Sequence, residues 1–310
     1  MKTENDPEVV HMSLQPLFDE EIVSQHLLLP HHPGQANYIW DVRTQAGEYV
    51  VRSPRSRRPA DEDFWQGTLR LFEVRVTDLQ HLPRLNAWLN INSGFVVPRV
   101  VRQQWMAGRP FATVEKLTGT PPTTFDQLSD SALATLGRNI SALHQHVQPV
   151  FGPLAAQWDL KAGQPLDQFW HRLTACVDYL LSRYYADDDN ARRWAAITER
   201  RLKTIPAVHD AAPILLDMDP TQFLANAGEI TGLVDTELFV TGPREMELVG
   251  LEYLLGRNGL KSFYRGYTQM APFPRLEPYR LVMRFWLRLV SFQGGRNWDQ
   301  WMGWPWRFPS

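Results

Sequence analysis

The sequence contains almost no cysteine and no long apolar run. Cys176 is the only cysteine among 310 residues, so an internal disulfide is impossible, and we expect a reducing, cytoplasmic setting. No stretch approaches the roughly 18 consecutive apolar residues that a membrane-spanning helix needs. Residues 1–7 are polar and acidic and lack the pattern of a secretory signal. The sequence therefore predicts no association with a membrane.

An excess of charge of one sign is also missing. The 32 Lys and Arg residues nearly balance the 34 Asp and Glu residues, which leaves a formal charge of −2. A nucleic-acid partner is therefore not expected, because such proteins concentrate positive charge on one surface. Hydrophobic residues make up 44% of the chain, which is enough for a well-buried core in one large domain or in two lobes. The sequence does not predict an oligomeric state.

Strand-like and helix-like patterns divide the chain into two parts. The first part has short β-branched and aromatic runs between turns, and the second has apolar residues at three- and four-residue spacing. Strands are expected at residues 38–42, 48–52, 96–103 and 111–117 and again between 213 and 240. Helices are expected at residues 16–29, 63–82, 133–147, 166–185, 190–204, 247–267 and 278–292. The aromatic tail from residue 294 is predicted to be irregular.

This order of elements, strands first and helices later, indicates an α+β fold. Regular alternation of strands and helices is not visible, so a parallel α/β sheet is not expected. Gly119 and the prolines that follow it mark the expected boundary between two lobes. The predicted division is a strand-rich lobe of residues 1–116 and a helical lobe of residues 117–310.

Two apolar runs in the helical part each end at an aspartate. Residues 214–216 precede Asp217, and residues 230–234 precede Asp235. Gln222 lies five positions after Asp217. Phosphoryl transfer needs a carboxylate beside the attacking hydroxyl and oxygen ligands that hold Mg²⁺ against nucleotide phosphates. Two carboxylates and an amide on adjacent loops are the oxygen groups that this chemistry uses.

This segment resembles the catalytic and metal-binding loops of small-molecule kinases of the aminoglycoside phosphotransferase and choline kinase type. That family uses a His-Gly-Asp motif, an Asn five positions later and an Asp after the next strand. The resemblance implies that Asp217 is the catalytic residue and that Gln222 and Asp235 hold the metal. It also implies a bilobal protein-kinase-like fold, with a small strand-rich N-terminal lobe and a large helical C-terminal lobe. The implied cofactors are ATP and Mg²⁺.

The N-terminal part extends the same resemblance. Gly34 lies in a turn similar to the one that covers the phosphates in the family, and Arg52 lies where the family usually has a phosphate-contacting Lys. Glu73, in the next helical segment, is the best candidate for the ion-pair partner of Arg52. Glu115 and Leu117 belong to a segment that resembles the linker whose backbone hydrogen-bonds the adenine.

Several positions depart from the family pattern. Leu215 and Leu216 replace the His-Gly that usually supports the catalytic loop. Gln222 replaces Asn and adds one methylene, and Mg²⁺ demands strict geometry. Arg52 keeps a positive charge but has a planar, forked shape. Two interpretations therefore stay open, an active phosphotransferase and a kinase-like nucleotide-binding or regulatory module with weakened catalysis.

Asp217 and Asp219 also match a different motif. Asp-x-Asp-x-Thr is the signature of haloacid-dehalogenase-type phosphatases, in which the first Asp is the nucleophile and the second a general acid/base. That fold requires a parallel α/β sheet, whereas here the motif comes after two-thirds of the chain and precedes mostly helix. The phosphatase is therefore the minor alternative.

The expected partner is a small-molecule substrate with a hydroxyl group. In the family that the chain resembles, the helical part shapes the acceptor pocket, which here means residues 157–201 and the C-terminal helices. The acidic run from Asp187 to Asp189 would attract a cationic acceptor, although such a run is more typical of a solvated helix start. A cationic compound is therefore one candidate, and the sequence does not identify the acceptor.

Overall fold

The computed structural model describes residues 9, 11–29, 35–56, 60–75, 77, 79–158, 162–294 and 297–308. Strands dominate the first part of the chain and helices the second, so the α+β fold expected from the sequence is confirmed. Gly34, expected in the phosphate-covering turn, lies outside the described residues. None of the helices formed by the described residues combines the length and the hydropathy that a membrane crossing requires.

A five-stranded antiparallel sheet forms the first part. Its strands are β1 (Ile22–Leu27), β2 (Asn37–Thr44), β3 (Glu48–Pro54), β4 (Val100–Met106) and β5 (Arg109–Glu115). They are ordered β1-β2-β3-β5-β4 across the sheet. Trp40, Val51 and Phe111 belong to a small buried cluster that covers one face. The strands predicted around residues 38–42 and 48–52 are therefore confirmed.

The first strand corrects the helix predicted at residues 16–29. A single 3₁₀ turn, Gln15–Leu17, precedes β1, and β1 then pairs antiparallel with β2. The apolar spacing suits a helix, but Ile22 and Val23 are β-branched and favour a strand. Pairing with a sheet edge also supplies the backbone hydrogen bonds that a helix would have supplied, so tertiary context overrides the local periodicity.

Two helices, rather than one, connect β3 to β4. They are α1 (Asp63–Phe72) and α2 (Leu82–Asn92), where the sequence predicted a single helical segment at residues 63–82. α1 ends because Glu73 adopts a left-handed backbone conformation with φ of 58°, through which a right-handed helix cannot continue. The predicted segment is therefore broken after Phe72, and the second helix, α2, begins only at Leu82.

The helical part packs α3 tightly against α7. Its helices are α3 (Asp130–His144), α4 (Phe169–Tyr184), α5 (Asp189–Leu202), α6 (Arg244–Leu254), α7 (Arg257–Thr268), α8 (Arg280–Leu289) and α9 (Trp298–Met302). Gly137 of α3 and Gly266 of α7 each face the backbone of the other helix, where a Cβ atom would not fit. α6 and α7 were expected to form one helix, but Gly256 has an extended backbone and separates them.

The aromatic tail is more regular than predicted. Residues beyond 294 were expected to be irregular, yet α9 forms there, because the Asn297 side chain accepts a hydrogen bond from Asp299 N at 3.0 Å and caps the helix. Trp301 is fully buried. It stacks on Tyr253 with ring centroids 3.8 Å apart. These rings therefore pack into the core of the helical part.

A four-stranded antiparallel sheet lies within the helical part. It contains β6 (Val150–Pro153), β7 (Gln164–Pro165), β8 (Ala212–Leu215) and β11 (Phe239–Gly242), in the order β7-β6-β11-β8. A separate hairpin joins β9 (Phe223–Asn226) to β10 (Glu229–Leu233). The strands predicted between residues 213 and 240 are therefore confirmed. β8 and β10 are the two strands that lead into the acidic loops.

One large hydrophobic cluster extends through both parts of the chain. It includes Phe72 of α1, Ala112 of β5 and apolar residues from each helix of the helical part. A shared core of this kind holds the five-stranded sheet and the helices together. The boundary between lobes of residues 1–116 and 117–310 stays a prediction.

Candidate active site

Asp217 and Asp235 meet although they follow different strands. Each lies two positions beyond its strand, β8 for Asp217 and β10 for Asp235. Gln222 joins the two loops, because its Nε2 donates to Asp217 Oδ2 at 3.0 Å and its backbone oxygen accepts from Val234 N at 2.8 Å. The negative charge of Asp235 contributes to the raised pKa of Asp217. The structure thus brings all three sequence-predicted residues to one site.

The carboxyl group of Asp217 has a raised pKa. The pKa of Asp217 is raised to about 7, mainly by burial and also by the negative charges of Asp219 and Asp235, while the hydrogen bond from Gln222 opposes the rise. A carboxylate with a pKa near neutrality is suited to accepting a proton from a hydroxyl group. A divalent cation held nearby would favour the ionised carboxylate.

Gln222 has a buried oxygen that no described residue satisfies. Its Oε1 is shielded from solvent and makes no hydrogen bond within the described part of the chain. Such an atom is costly to bury, and an amide oxygen beside carboxylates is a ligand that Mg²⁺ prefers. The described residues hold no metal-binding cluster of three or more His, Cys, Asp or Glu side chains. The amide oxygen of Gln222 and the carboxylates of Asp235 and Asp217 are nevertheless oxygen groups of the kind that Mg²⁺ accepts, and a metal site here stays a prediction.

Arg52 of β3 reaches the same loops from the five-stranded sheet. Its guanidinium forms ion pairs with Asp235 and with Glu237. The side chains of Arg52 and Glu237 are each 9% exposed, whereas that of Asp235 is 43% exposed. Burial alone would lower the pKa of Arg52, but the carboxylates of Glu237 and Asp235 raise it above its ordinary value. Arg52 is therefore a permanent positive charge facing the acidic loops.

The backbone at Asp235 is strained. Its φ of 56° and ψ of 53° lie in the left-handed region, which residues other than glycine adopt infrequently. The cost of such a conformation is about 1–3 kcal/mol, and it persists where the surrounding structure requires it. This left-handed conformation turns the chain out of β10 into a 3₁₀ turn, Thr236–Leu238. The carboxylate of Asp235 lies at the surface of the site.

Glu73 does not pair with Arg52, so that expectation is wrong. Glu73 lies at the left-handed end of α1 and forms an ion pair with Arg172 of α4 at 2.6 Å. Arg172 also donates to the backbone oxygen of Arg70, which fixes it beside the end of α1. Glu237, rather than Glu73, forms the expected ion pair with Arg52, and the sequence analysis did not identify it. The available signal was an acid two positions after the predicted metal ligand.

Glu115 and Leu117 lie where β5 leads into the linker. Leu117 is half-buried and packs so closely on Gly232 of β10 that a Cβ atom there would lie 2.7 Å from Leu117 Cδ1. Thr120 and Ala225 exchange two backbone hydrogen bonds of 2.9 and 3.0 Å. The linker therefore runs beside the β9–β10 hairpin. The adenine contacts of Glu115 and Leu117 stay a prediction.

A buried network supports the strand that leads to Asp217. Glu247 Oε1 accepts a hydrogen bond from Leu215 N at 2.7 Å, and Glu247 Oε2 lies 2.9 Å from His144 Nε2. His144 Nδ1 lies in turn 3.0 Å from the Tyr267 hydroxyl. Side chains from α3, α6 and α7 thus hold the end of β8, where the sequence lacks the usual His-Gly.

Asp219 shapes the loop from within. Its Oδ1 accepts hydrogen bonds from Thr221 N at 2.8 Å and Thr221 Oγ1 at 2.6 Å, and its Oδ2 accepts one from Gln293 Nε2 at 2.7 Å. Both carboxylate oxygens therefore have partners inside the protein. The strand pairs formed by the described residues are antiparallel. The haloacid-dehalogenase alternative, which requires a parallel sheet, is contradicted by the architecture.

A cavity of about 1060 Å³ begins beside Glu237. The segment predicted to shape the acceptor pocket contributes Trp158, Arg172 and Cys176 to its wall. Cationic side chains in the wall outnumber the acidic ones. The basic residues are Arg70, Arg75, His81, Arg84 and Arg172, and the acidic residues are Glu73 and Glu237. The residues that line the cavity include Glu237 but not Asp217, Gln222 or Asp235, so the charge of this wall does not identify the acceptor.

The acidic run before α5 caps that helix. Asp188 accepts hydrogen bonds from Asn190 N at 2.9 Å and from Ala191 N at 3.0 Å. Asp189 pairs with Arg192 on the surface of the helix. The interpretation as a helix start is therefore confirmed, and these two acids have partners of their own.

Comparison with known proteins places the chain among kinase-like phosphotransferases. A family model described as the phosphotransferase enzyme family matches residues 28–284, well over half of the chain. No curated protein matches the chain significantly in sequence.

Solved structures support the same fold. The GDP complex of wild-type aminoglycoside 2'-phosphotransferase-IIIa has a TM-score of 0.61 at 18% identity, over 95% of this chain and 93% of that one. The macrolide 2'-phosphotransferase MphH from Brachybacterium faecium has a TM-score of 0.58 at 16% identity, over 89% and 87%. A thermostable mutant of aminoglycoside phosphotransferase APH(4)-Ia, in complex with ADP and hygromycin B, has 0.54 at 15%, over 88% of each chain. At these identities the likeness concerns the fold, which is bilobal and protein-kinase-like.

Proposed function

Because the chain belongs to the phosphotransferase enzyme family, we propose that it transfers the terminal phosphoryl group of ATP to a hydroxyl group of a small molecule. The observation that carries the proposal is the meeting of Asp217, Gln222 and Asp235 at one site, opposite the buried cation of Arg52. Phosphoryl transfer depends mostly on positioning and on charge stabilisation. These four side chains are groups of the kinds that such positioning uses.

ATP is the proposed donor. Solved relatives hold GDP or ADP, so a purine nucleotide is the class that the comparison supports. In the proposal Arg52 contacts the phosphates, and the linker at Glu115 and Leu117 hydrogen-bonds the base. Glu73 has no part in it, since its carboxylate is paired elsewhere.

Gln222 and Asp235 would hold Mg²⁺. The buried, unsatisfied Oε1 of Gln222 supports this assignment, and so does the exposed carboxylate of Asp235. When bound, the ion would neutralise the phosphates and orient the terminal phosphoryl group.

Asp217 would orient the acceptor hydroxyl and take up its proton while the oxygen attacks phosphorus. Its pKa of about 7 suits that role near neutral pH. Gln222 Nε2 occupies Oδ2, which leaves Oδ1 to face the hydroxyl. A fixed carboxylate of this kind supplies orientation as well as basicity.

A direct experiment replaces the proposed base. Asp217→Asn should lower phosphoryl transfer by about 10²–10⁴-fold, because the amide cannot take up the proton. ADP release would be measured with a panel of aminoglycosides, amino alcohols, neutral sugars and acidic hydroxyl compounds, with ATP and GTP compared as donors. Binding of Mg·AMP-PNP should stay nearly unchanged. Asp61→Asn, which alters an exposed pair with Arg183, is the matched control, and unchanged turnover in Asp217→Asn would contradict the role of this residue.

The second candidate is a kinase-like nucleotide-binding or regulatory module. One observation favours it, since Arg52 already pairs with the Asp235 carboxylate that the metal would need. The departures from the family pattern at Leu215, Leu216 and Gln222 also favour weakened catalysis. Stabilisation by Mg·AMP-PNP without ADP release across the whole acceptor panel would select the module over the enzyme.

A further inference from the structure

We propose that Glu237 positions Arg52 in the nucleotide site and thereby leaves Asp235 available to the metal ion. The inference rests on the proposed function, because it takes Arg52 as the phosphate contact and Asp235 as a metal ligand. It assigns to Glu237 the ion-pair role that the sequence suggested for the helix acid Glu73.

The two acids that contact Arg52 have different surroundings. Arg52 Nη1 lies 2.5 Å from Glu237 Oε1, and the other terminal nitrogen contacts Asp235. Glu237 is 9% exposed and Asp235 is 43% exposed. Glu237, although it lines the cavity, is the less solvent-accessible of the two acids, whereas the exposed carboxylate of Asp235 can change its partner. Glu237 is therefore the permanent partner of Arg52, and Asp235 is the exchangeable one.

Charge balance explains why a second acid is needed. A single guanidinium cannot neutralise two ionised carboxylates, so with both acids ionised the group of Arg52, Asp235 and Glu237 carries an excess negative charge that a cation would compensate. When Mg²⁺ takes Asp235, Arg52 keeps Glu237 and is not left as an unpaired buried charge. Without Glu237, Arg52 and the metal would compete for the same carboxylate.

Glu237 is held in place from two sides. Its neighbour Thr236 donates through Oγ1 to Asn86 Oδ1 of α2 at 2.6 Å. On the other side, Leu238 O accepts a hydrogen bond from Leu216 N at 3.2 Å. The turn is thus tied both to the helices beside the sheet and to the strand that leads to Asp217. Glu237 is therefore oriented before any nucleotide binds, which is what a positioning residue requires.

The test measures how strongly nucleotide binding depends on Mg²⁺. AMP-PNP binding would be followed by calorimetry over a Mg²⁺ series for the wild type, Glu237→Gln, Arg52→Gln and the double variant. In Glu237→Gln, the Mg²⁺ concentration for half-maximal binding should rise by about tenfold, because Arg52 then competes for Asp235. In the double variant it should return to the Arg52→Gln value, since the competitor is gone.

A structural role for Glu237 would give a different pattern. It would weaken binding equally at all Mg²⁺ concentrations, and removing Arg52 would not restore the metal dependence. Either of these results, or an unchanged Mg²⁺ requirement in Glu237→Gln, overturns the proposal. Glu277→Gln alters a partly buried pair with Arg201 that lies outside the proposed site, and it should bind as the wild type does.

A shorter acid guards against a folding defect. Glu237→Asp keeps the charge and shortens the arm, so it should shift the Mg²⁺ requirement in the same direction but less than Glu237→Gln. If Glu237→Gln does not fold, as judged by near-ultraviolet circular dichroism, this variant carries the test, and a wild-type Mg²⁺ requirement in it then overturns the proposal.

The outcome separates this inference from the proposed function. Mg²⁺-dependent AMP-PNP binding with the predicted shifts, but without phosphoryl transfer to any acceptor, would sustain the role of Glu237 and reject the enzyme. Phosphoryl transfer with an unshifted Mg²⁺ requirement would do the reverse. A wild-type protein that does not bind Mg·AMP-PNP would reject both.

Discussion

Two ion clusters in this molecule have opposite charge balances. The catalytic cluster consists of Arg52, Asp235 and Glu237, and the tail cluster consists of Glu252, Arg280 and Arg284. The first has one cation and two acids, and the second has one acid and two cations. One lies at the candidate active site, and the other lies beneath the C-terminal tail.

The tail cluster is closed by the protein itself. Glu252 is fully buried, and its Oε1 accepts hydrogen bonds from Arg307 N at 3.0 Å and Phe308 N at 3.1 Å. Arg280 donates to Phe308 O at 2.8 Å, and Arg284 donates to Trp304 O at 2.5 Å. Backbone carbonyls thus help to compensate the extra positive charge. The cluster fixes the tail and has no exposed member.

The catalytic cluster is open by contrast. Its extra charge is negative, one of its acids is 43% exposed, and the neighbouring Gln222 has an unsatisfied oxygen. A cation from solution can therefore complete it, whereas nothing from solution can reach the tail cluster. Unsatisfied atoms alone do not separate the two clusters, because Arg280 Nη1 and Arg284 Nε also lack hydrogen-bond partners among the described residues. The comparison teaches that access decides the difference, since the tail cluster is sealed from solvent and the exposed carboxylate of Asp235 is not.

The largest effect on stability is expected in the tail cluster. Glu252→Gln leaves two buried guanidinium groups without an acid and should lower the free energy of unfolding by about 3–5 kcal/mol. Urea denaturation followed by tryptophan fluorescence would measure the change. Glu277→Gln, in a partly buried pair that is far more accessible to solvent than Glu252, should change it by at most about 1 kcal/mol. If Glu252→Gln is as mild as this control, the tail cluster does not stabilise the fold as its contacts indicate.

A smaller effect is expected in the network behind β8. Glu247→Gln keeps an oxygen for Leu215 N but removes the charge that faces His144, so stability should fall by about 1–3 kcal/mol. Turnover should fall as well, because the strand that carries Asp217 loses part of its support. Glu245→Gln, in the same turn of α6, is the matched control for turnover. Full turnover in Glu247→Gln would show that the network is dispensable for the site.

The clusters also separate what the sequence predicts from what it does not. Asp217, Gln222 and Asp235 were predicted because they lie close together in the sequence, after two apolar runs, and because their spacing resembles that of a known family. The pair of Arg52 and Glu237 joins positions 185 residues apart, so it depends on how α2, β3 and the acidic loop pack together. Glu73 was chosen wrongly for the same reason, since the left-handed end of α1 is not visible in the apolar pattern.

The fold divides in the same way. The strands β2 and β3 were predicted because two β-branched and aromatic runs separated by a short turn are a local signal. The strand β1 was predicted as a helix, since its hydrogen bonds come from a sheet edge that the local sequence does not reveal. The tail was predicted to be irregular, but it contains α9, whose Trp301 is buried against Tyr253. This contact is not visible in the local sequence. The local chemistry of the site was thus more predictable than the contacts that hold it.

The smallest effect on stability is expected at Asp235. Asn tolerates the left-handed backbone that this position requires, so Asp235→Asn changes the charge with little added strain. Arg52 keeps Glu237 as its partner and the lost carboxylate is partly exposed, so the free energy of unfolding should change by less than about 1 kcal/mol. Mg²⁺-dependent binding of AMP-PNP should nevertheless be lost, as calorimetry would detect. A loss of stability as large as in Glu252→Gln would instead make Asp235 a structural anchor, and the catalytic cluster would then resemble the tail cluster after all.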